Sequence, residues 1–380
     1  MRMTDEMEAY ALSTVEEAKQ FLRELAVIPA PSHHEEKRAD FVKAWMEKNG
    51  AQGVYIDEAL NVVWPVLDDG KCDMLAVMAH TDVVFPDTTP LPFWEEDGVM
   101  HCPGIGDDTT RLTLLLHAVR YFTGKGKRPN TGLVVVANSC EEGLGNLKGS
   151  RAIVDRYGSR LKTLITVDGG PENLVTRAVG SHRYKVTLRT EGGHSYGAFG
   201  NKNAIAYLSS LITTLYDVKV PAKPGTKTTY NVGGISGGTS VNTIAQEAEM
   251  LYEYRSDDRE CLEFMKNMFE KTVEAYRAMG LDITVELLGE RPCNGDVKEP
   301  EFTELKAMVA KCIKTIFGAD AKEGSGSTDA NYPLSLGIPA VCIGAGRSSG
   351  THTREEYVLT DSLLDGLRYL LLVLSNYFEE

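Results

Sequence analysis

Four short apolar runs, at 74–79, 133–137, 164–167 and 340–343, are set apart by stretches of helical periodicity such as 111–122. This alternation limits the fold more than any other feature. Runs that are apolar throughout are buried on both faces, and such strands interleaved with helices make a layered α/β domain with a largely parallel sheet flanked by helices. Polar residues close each run: His80 after the first, Glu141 and Glu142 after the second, Asp168 after the third, and His352 a short loop beyond the fourth. Open α/β sheets bind ligands outside the carboxyl ends of their strands. The polar residues therefore collect where a site is expected.

The helices have their own signals. Ser13-Thr14-Val15-Glu16 has the form of a capping box ahead of FLRELAVI. Ser32 with Glu35 repeats the form ahead of a helix carrying Ala39, Val42, Trp45 and Met46 at helical spacing, and Gly50 ends it. The stretch 181–291 reads differently. Strand 184–189, helix 204–216, strands 228–233 and 247–254, helix 261–279 and strand 283–287 follow in the order βαββαβ, the ferredoxin-like arrangement. With 380 residues the chain can hold one large or two modest domains. The expected division is a main α/β domain built from 1–180 and 292–380, with a ferredoxin-like α+β domain inserted at 181–291.

Composition narrows the partners. A formal net charge of −14 repels phosphate backbones, so no nucleic acid partner is expected. The seven cysteines are scattered and odd in number, with no C-x-x-C pair, which argues against a disulfide framework and a thiolate zinc site. The start, MRMTDEMEAY, is polar and acidic, unlike a signal peptide. No apolar run reaches the ~18 residues of a membrane span. The expected setting is the cytoplasm, away from any membrane.

Five residues offer a ligand set: His80, Asp107, Glu142, Asp168 and His352. Two imidazoles and three carboxylates suit zinc, and also cobalt or manganese, whereas calcium avoids imidazole. If one carboxylate bridges, each of two ions receives one histidine, one terminal carboxylate and the shared one. Asp82, two residues beyond His80, can accept the other ring N–H and fix the tautomer. Glu141 and Glu142 point in different directions, so one can bind metal while the other takes a proton from the water held there. Each piece alone has a plainer reading. His-x-Asp can be a strand-end turn, Asp107 or Asp108 a helix cap, the two glutamates a solvated loop, and Asp168-Gly169 a turn. Their joint order carries the argument.

In that order, His80-Thr81-Asp82, Gly104-Ile105-Gly106-Asp107-Asp108, Cys140-Glu141-Glu142-Gly143, Val167-Asp168-Gly169-Gly170 and Thr351-His352-Thr353-Arg354-Glu355-Glu356-Tyr357 resemble the di-zinc metallopeptidase family of peptidase T, carboxypeptidase G, succinyl-diaminopimelate desuccinylase and acetylornithine deacetylase. The resemblance spans nearly the whole chain, including the inserted domain, which in that family is a lid and dimerisation module. It implies two divalent ions per subunit, most naturally zinc. His80 and Asp168 would bind one, Glu142 and His352 the other, with Asp107 bridging and the Asp107–Asp108 peptide cis. It also implies that Asp82 orients His80 and that Glu141 is the general base. In the lid, His194 would stabilise the oxyanion in a partner subunit, Asn242 would contact substrate, Arg291 would receive a substrate carboxylate, and Arg255 would be structural. Gly326 would line the site. One departure stands out: after Asp107-Asp108 the family has Lys then Gly, and this chain has Thr109-Thr110-Arg111.

Within that family an Asp at position 168 goes mainly with peptidases acting on free amino termini, and Glu with deacylases. The resemblance therefore implies an aminopeptidase or di-/tripeptidase acting on small peptides as a homodimer. The alternatives are an N-acyl-amino-acid deacylase or a carboxypeptidase with the same site, and a silent scaffold, against which all five ligands and Glu141 stand. A cysteine hydrolase using Cys140 is disfavoured by the two adjacent acids, which raise a thiol's pKa.

Overall fold

The computed structural model describes residues 2–379, which form two compact units. One is the chain up to Ala178 together with the chain from Gly295 onward; the other is Val179–Asn294.

The first unit is a mixed, largely parallel eight-stranded sheet with helices packed against it. From edge to edge the strands are Tyr55–Ile56, Val62–Leu67, Gly132–Asn138, Met74–His80, Leu161–Val167, Ala340–Ile343, Asn173–Ala178 and Lys322–Gly326. The four strands Gly132–Asn138 to Ala340–Ile343 run parallel, with His80 opposite Asn138, Met78 opposite Thr166, and Ile343 opposite Val167. Their carboxyl ends are therefore level, and the residues that follow them open onto one edge. Every residue of Met74–His80 and Gly132–Asn138 is buried, as strands covered on both faces must be. Helices Asp5–Ala26, Thr110–Gly124, Glu301–Phe317 and Ser362–Leu374 pack against one another beside the sheet. A small sheet pairs Ser348–Ser349 with Tyr357–Leu359, and that strand with Val99–His101, so it holds the His352 loop at both ends.

Two helix starts differ from the sequence reading. The first helix begins at Asp5 with Thr4 as its cap, accepting from the Met7 N–H, and Ser13 lies inside it, donating back to the Tyr10 carbonyl. A hydroxyl at mid-helix can bond its own preceding turn, so the box pattern alone did not mark an end. The second helix, Glu36–Lys48, has no side-chain cap. Ser32 and Glu35 are turned instead toward the site described below. None of the seven cysteines is joined in a disulfide.

The second unit carries strands Gly180–Arg189, Thr228–Gly237, Glu247–Ser256 and Asp282–Arg291 in one antiparallel sheet, in the spatial order Thr228–Gly237, Glu247–Ser256, Gly180–Arg189, Asp282–Arg291. Helices Ala204–Tyr216 and Arg259–Ala278 complete the ferredoxin-like order βαββαβ. Glu247–Ser256 alternates buried and accessible residues, so one face of the sheet meets the helices. Asn203 and Asp258 cap those helices through their side chains. No helix among the described residues is long and apolar enough to cross a membrane.

Candidate metal centre

His80 is the last residue of its strand and is 2% exposed. Its Nδ1 faces the Asp82 backbone carbonyl at 3.1 Å and the Asp82 carboxylate at 3.4 Å, while Nε2 lies 3.1 Å from Asp107 Oδ1. With the proton on Nδ1, the Nε2 lone pair points at the acidic cluster. Burial disfavours a charged ring, yet bonding to Asp107 and Asp82 raises the His80 pKa well above its usual value.

The Asp82 side chain does more than face His80. Its two oxygens accept the backbone N–H groups of Glu141 (3.0 Å) and Glu142 (2.9 Å), and Ser32 Oγ donates to Oδ2 at 2.6 Å. Glu35, fully buried, accepts from the Cys140 N–H at 3.0 Å and from its thiol at 3.3 Å. The loop bearing Glu141 and Glu142 is thus held from below by Asp82 and from the side by Glu35. Arg38 donates to the Thr81 carbonyl at 2.9 Å and to Thr109 Oγ1 at 3.0 Å, joining two more site segments.

Asp107 follows a tight turn in which its N–H donates to Glu356 Oε1 at 2.7 Å, and the Gly104 N–H donates to Oε2 of the same carboxyl at 2.9 Å. Burial pushes the Glu356 carboxyl up to about 7. The Asp107–Asp108 peptide is cis. Neither aspartate caps the helix that follows, contrary to the cap reading: Thr109 occupies that place without a side-chain bond. Asp108 turns inward and accepts the His80 N–H at 3.1 Å, and burial raises its pKa.

His352 stands on the loop between the two strands of the small sheet, in a left-handed backbone conformation with φ 65°. Its side chain is 54% exposed, and Nε2 lies 3.1 Å from Glu142 Oε1 and 3.3 Å from Asp107 Oδ2. Those two bonds push its pKa up to about 10. Asp168 directly follows the third parallel strand, and burial, with the Asp107 charge beside it, raises its carboxyl to about 6.

The potential ligand atoms fall into overlapping groups whose members lie within 4.8 Å of one another: His80, Asp107 and Asp168; Asp107, Glu142 and His352; and His80, Glu141 and Glu142. The first two share Asp107. Three carboxylates and two imidazoles gathered this closely leave a surplus of negative charge, and the Asp107 and Glu142 carboxylates raise His352 to about 10. Divalent cations would answer that surplus, and the mixed nitrogen and oxygen donors fit ions of the zinc type. A further group, Asp68, Asp69 and Cys72, is a surface cluster apart from these.

The remaining candidates of the main unit and of the second unit have local partners of their own. His194 pairs in register with Thr243, and its Nδ1 accepts from the backbone N–H groups of Tyr196 and Gly197, both at 3.3 Å. Asn242 is exposed and takes a hydrogen bond from Ser240 Oγ at 2.8 Å. Arg255 forks onto Glu253 at 3.0 and 3.1 Å, Arg291 is buried at the end of its strand, and Gly326 ends the edge strand opposite Ala178.

Sequence reasoning missed Ser32, Glu35, Arg38, Asp108 and Glu356 as parts of this site. Glu356 sat inside a quoted motif, but nothing in a polar loop tells which of Glu355 and Glu356 turns inward. Ser32 and Glu35 gave a signal that fitted a helix cap equally well.

The sequence signature of peptidase family M20/M25/M40 matches residues 76–376. The chain is 25% identical over 363 residues to a succinyl-diaminopimelate desuccinylase of Corynebacterium glutamicum, covering 94% of each. It is 22% identical over 306 residues to carboxypeptidase G2 of a Pseudomonas species, 78% of this chain and 72% of that one. Among solved structures it resembles an aminopeptidase of Bacillus cereus (TM-score 0.72, 21% identity, 94% of this chain and 97% of that one). It also resembles a dipeptidase of Saccharomyces cerevisiae (TM-score 0.76, 17% identity, 98% of each). At such identities the structural likeness speaks for the fold.

Proposed function

This chain belongs to peptidase family M20/M25/M40, and from that premise we propose that it is a two-metal aminopeptidase or di-/tripeptidase acting on small peptides. The family is one of metal-dependent peptidases and amidohydrolases, so the chain is an enzyme of that kind. The observation that carries the finer reading is the pair of histidine–carboxylate groups sharing Asp107. In this reading His80, Asp168 and Asp107 hold one ion, and Glu142, His352 and Asp107 hold the other. Zinc fits the donors best, with cobalt or manganese able to replace it. Two such ions polarise an amide carbonyl and acidify water at neutral pH.

The chain's own residues do the rest. Glu141, fixed by its backbone bond to Asp82, takes a proton from the attacking water. It then gives that proton to the amine nitrogen as the C–N bond breaks, so no net proton is consumed at the base. Asp82 keeps the loop and the His80 ring in register. His194 supplies a donor: because Nδ1 accepts two backbone N–H groups, the ring proton sits on Nε2, which is free to bond the oxyanion. In a homodimer formed through the Val179–Asn294 unit, His194 would serve the partner's site. Asn242 and Arg291 would receive the substrate's polar groups, Gly326 would line its path, and Arg255 would steady the sheet. Seven cysteines without a disulfide suit a reducing, cytoplasmic setting.

A second reading, an N-acyl-amino-acid deacylase, is favoured by the desuccinylase relative. Assay of the metal-loaded protein on tripeptides and on N-acetyl and N-succinyl amino acids separates the two. Hydrolysis of tripeptides is expected. Activity confined to the acyl amino acids would transfer the assignment to the deacylase, and loss of neither activity on chelation would remove both.

A further inference from the structure

Arg111 is a permanent cation buried behind the acidic cluster, in the stretch where the chain departs from its family's pattern; it is 3% exposed. It stands in the first turn of helix Thr110–Gly124, four residues beyond Asp107. Its Nε and Nη2 both donate to the Gly169 carbonyl, at 3.0 and 2.8 Å, and Nη2 also donates to Ser348 Oγ at 2.9 Å. Gly169 directly follows Asp168. Ser348 begins the small-sheet strand from which the His352 loop departs, and it packs so closely on the Asp107 turn that a Cβ at Gly106 would lie 2.6 Å from Ser348 Cβ. One guanidinium therefore ties together the three chain segments that carry Asp107, Asp168 and His352.

The charges of Asp107, Asp108 and Asp168 partly offset that of Arg111, but none of the three makes a close pair with it. The nearest carboxylate oxygen, Asp108 Oδ1, is 4.0 Å away. A buried charge without a close, well-made pair is costly to keep. A further positive charge near two cations also opposes their binding by simple Coulomb repulsion. What the fork does supply is geometry: fixed bonds in one plane to two loops from a third element. We propose that Arg111 is a positioning residue that holds the Asp107, Asp168 and His352 segments at the separation two cations require, and that this bracing strengthens metal binding more than its charge weakens it. The proposal rests on the two-metal reading above.

The two ideas can fail separately. The metal-stripped full-length protein is titrated with Zn²⁺ in competition with a chromophoric chelator, and with Co²⁺ while its visible spectrum is recorded. Wild-type protein that takes up no ions refutes the two-metal reading, and Arg111 with it. If wild type binds two ions, Arg111→Lys, which keeps the charge and loses the fork, and Arg111→Met, which loses both, should each weaken at least one ion by about 10–100-fold, the range seen when groups behind metal ligands are altered. Ser348→Ala removes a single bond and should give a smaller loss. The cobalt spectrum should change in the same variants while the thermal unfolding of the metal-free proteins stays close to wild type. Unchanged affinity in Arg111→Lys, or tighter binding in Arg111→Met, overturns the proposal. Should Arg111→Met fail to fold, Arg111→Lys and Ser348→Ala decide it, because wild-type affinity and spectra in both overturn it too.

Discussion

Two histidines in the main unit are almost wholly buried, and their surroundings give them opposite chemistry. His80 is ringed by Asp82, Asp107 and Asp108, and its pKa is raised although burial works against it. His117 lies in the middle of helix Thr110–Gly124, with Trp45 at 4.8 Å and Phe21 at 5.6 Å between ring centroids. Its Nδ1 donates to the Thr113 carbonyl at 2.8 Å, and burial lowers its pKa to about 4. Removal from water makes an imidazole neutral and inert. Carboxylates gathered from other segments turn the same ring into a group that seeks positive charge.

This contrast can be broken or sharpened by experiment. The largest expected effect belongs to the acid-lined region: Glu141→Gln should lower turnover by about 10²–10⁴-fold, with two ions still present by elemental analysis. Loss of metal in that variant would make Glu141 a ligand rather than a base. Next, His80→Phe should cost one ion and about 10³-fold in turnover, the several kcal/mol a Lewis acid supplies. His117→Phe should leave both untouched at neutral pH, and equal damage from the two would erase the distinction.

A third effect is on stability in acid. The unfolded His117 takes a proton near pH 6.5 and the folded one only near pH 4. Its contribution is therefore complete above pH 6.5 and is lost as pH falls toward 4, by roughly 3 kcal/mol. Denaturant titrations at several pH values should show a steeper acid decline for wild type than for His117→Phe. The smallest effect is expected at the site's flank. Glu35→Ala strips the buried Cys140 N–H of its acceptor and should cost about 1–3 kcal/mol in stability, read as a lower melting temperature. An unchanged melting temperature would show that the Glu141–Glu142 loop does not depend on it.

The central strands were legible because runs such as 133–137 contain nothing but apolar residues, and a run of that length can be buried on both faces only within a sheet. His80 and Asp168 stood out because they end such runs. Other features were hidden for stated reasons. Thr4 caps the first helix, yet Ser13 offered a better-formed pattern further in. Asp108 looked like a helix cap because Asp is common there, and only the meeting of residues 28 apart shows it bonded to the His80 N–H. His117 and His80 each sit beside apolar residues in the sequence, and no local pattern distinguishes an aromatic neighbourhood from an acidic one. The readings of His194, Asn242, Arg255 and Arg291 come from resemblance, since their spacing carries no period.

Strand Ala340–Ile343 sits between Leu161–Val167 and Asn173–Ala178, strands made before the whole second unit. A ribosome emits the chain in order, so Leu161–Val167 and Asn173–Ala178 wait, without the strand that joins them, through the synthesis of the whole second unit. Unpaired strand edges there invite wrong partners in the meantime. Any product cut short before residue 340 is left with a divided sheet. Completion of the sheet and arrival of His352 therefore come almost together, after the whole second unit has been made.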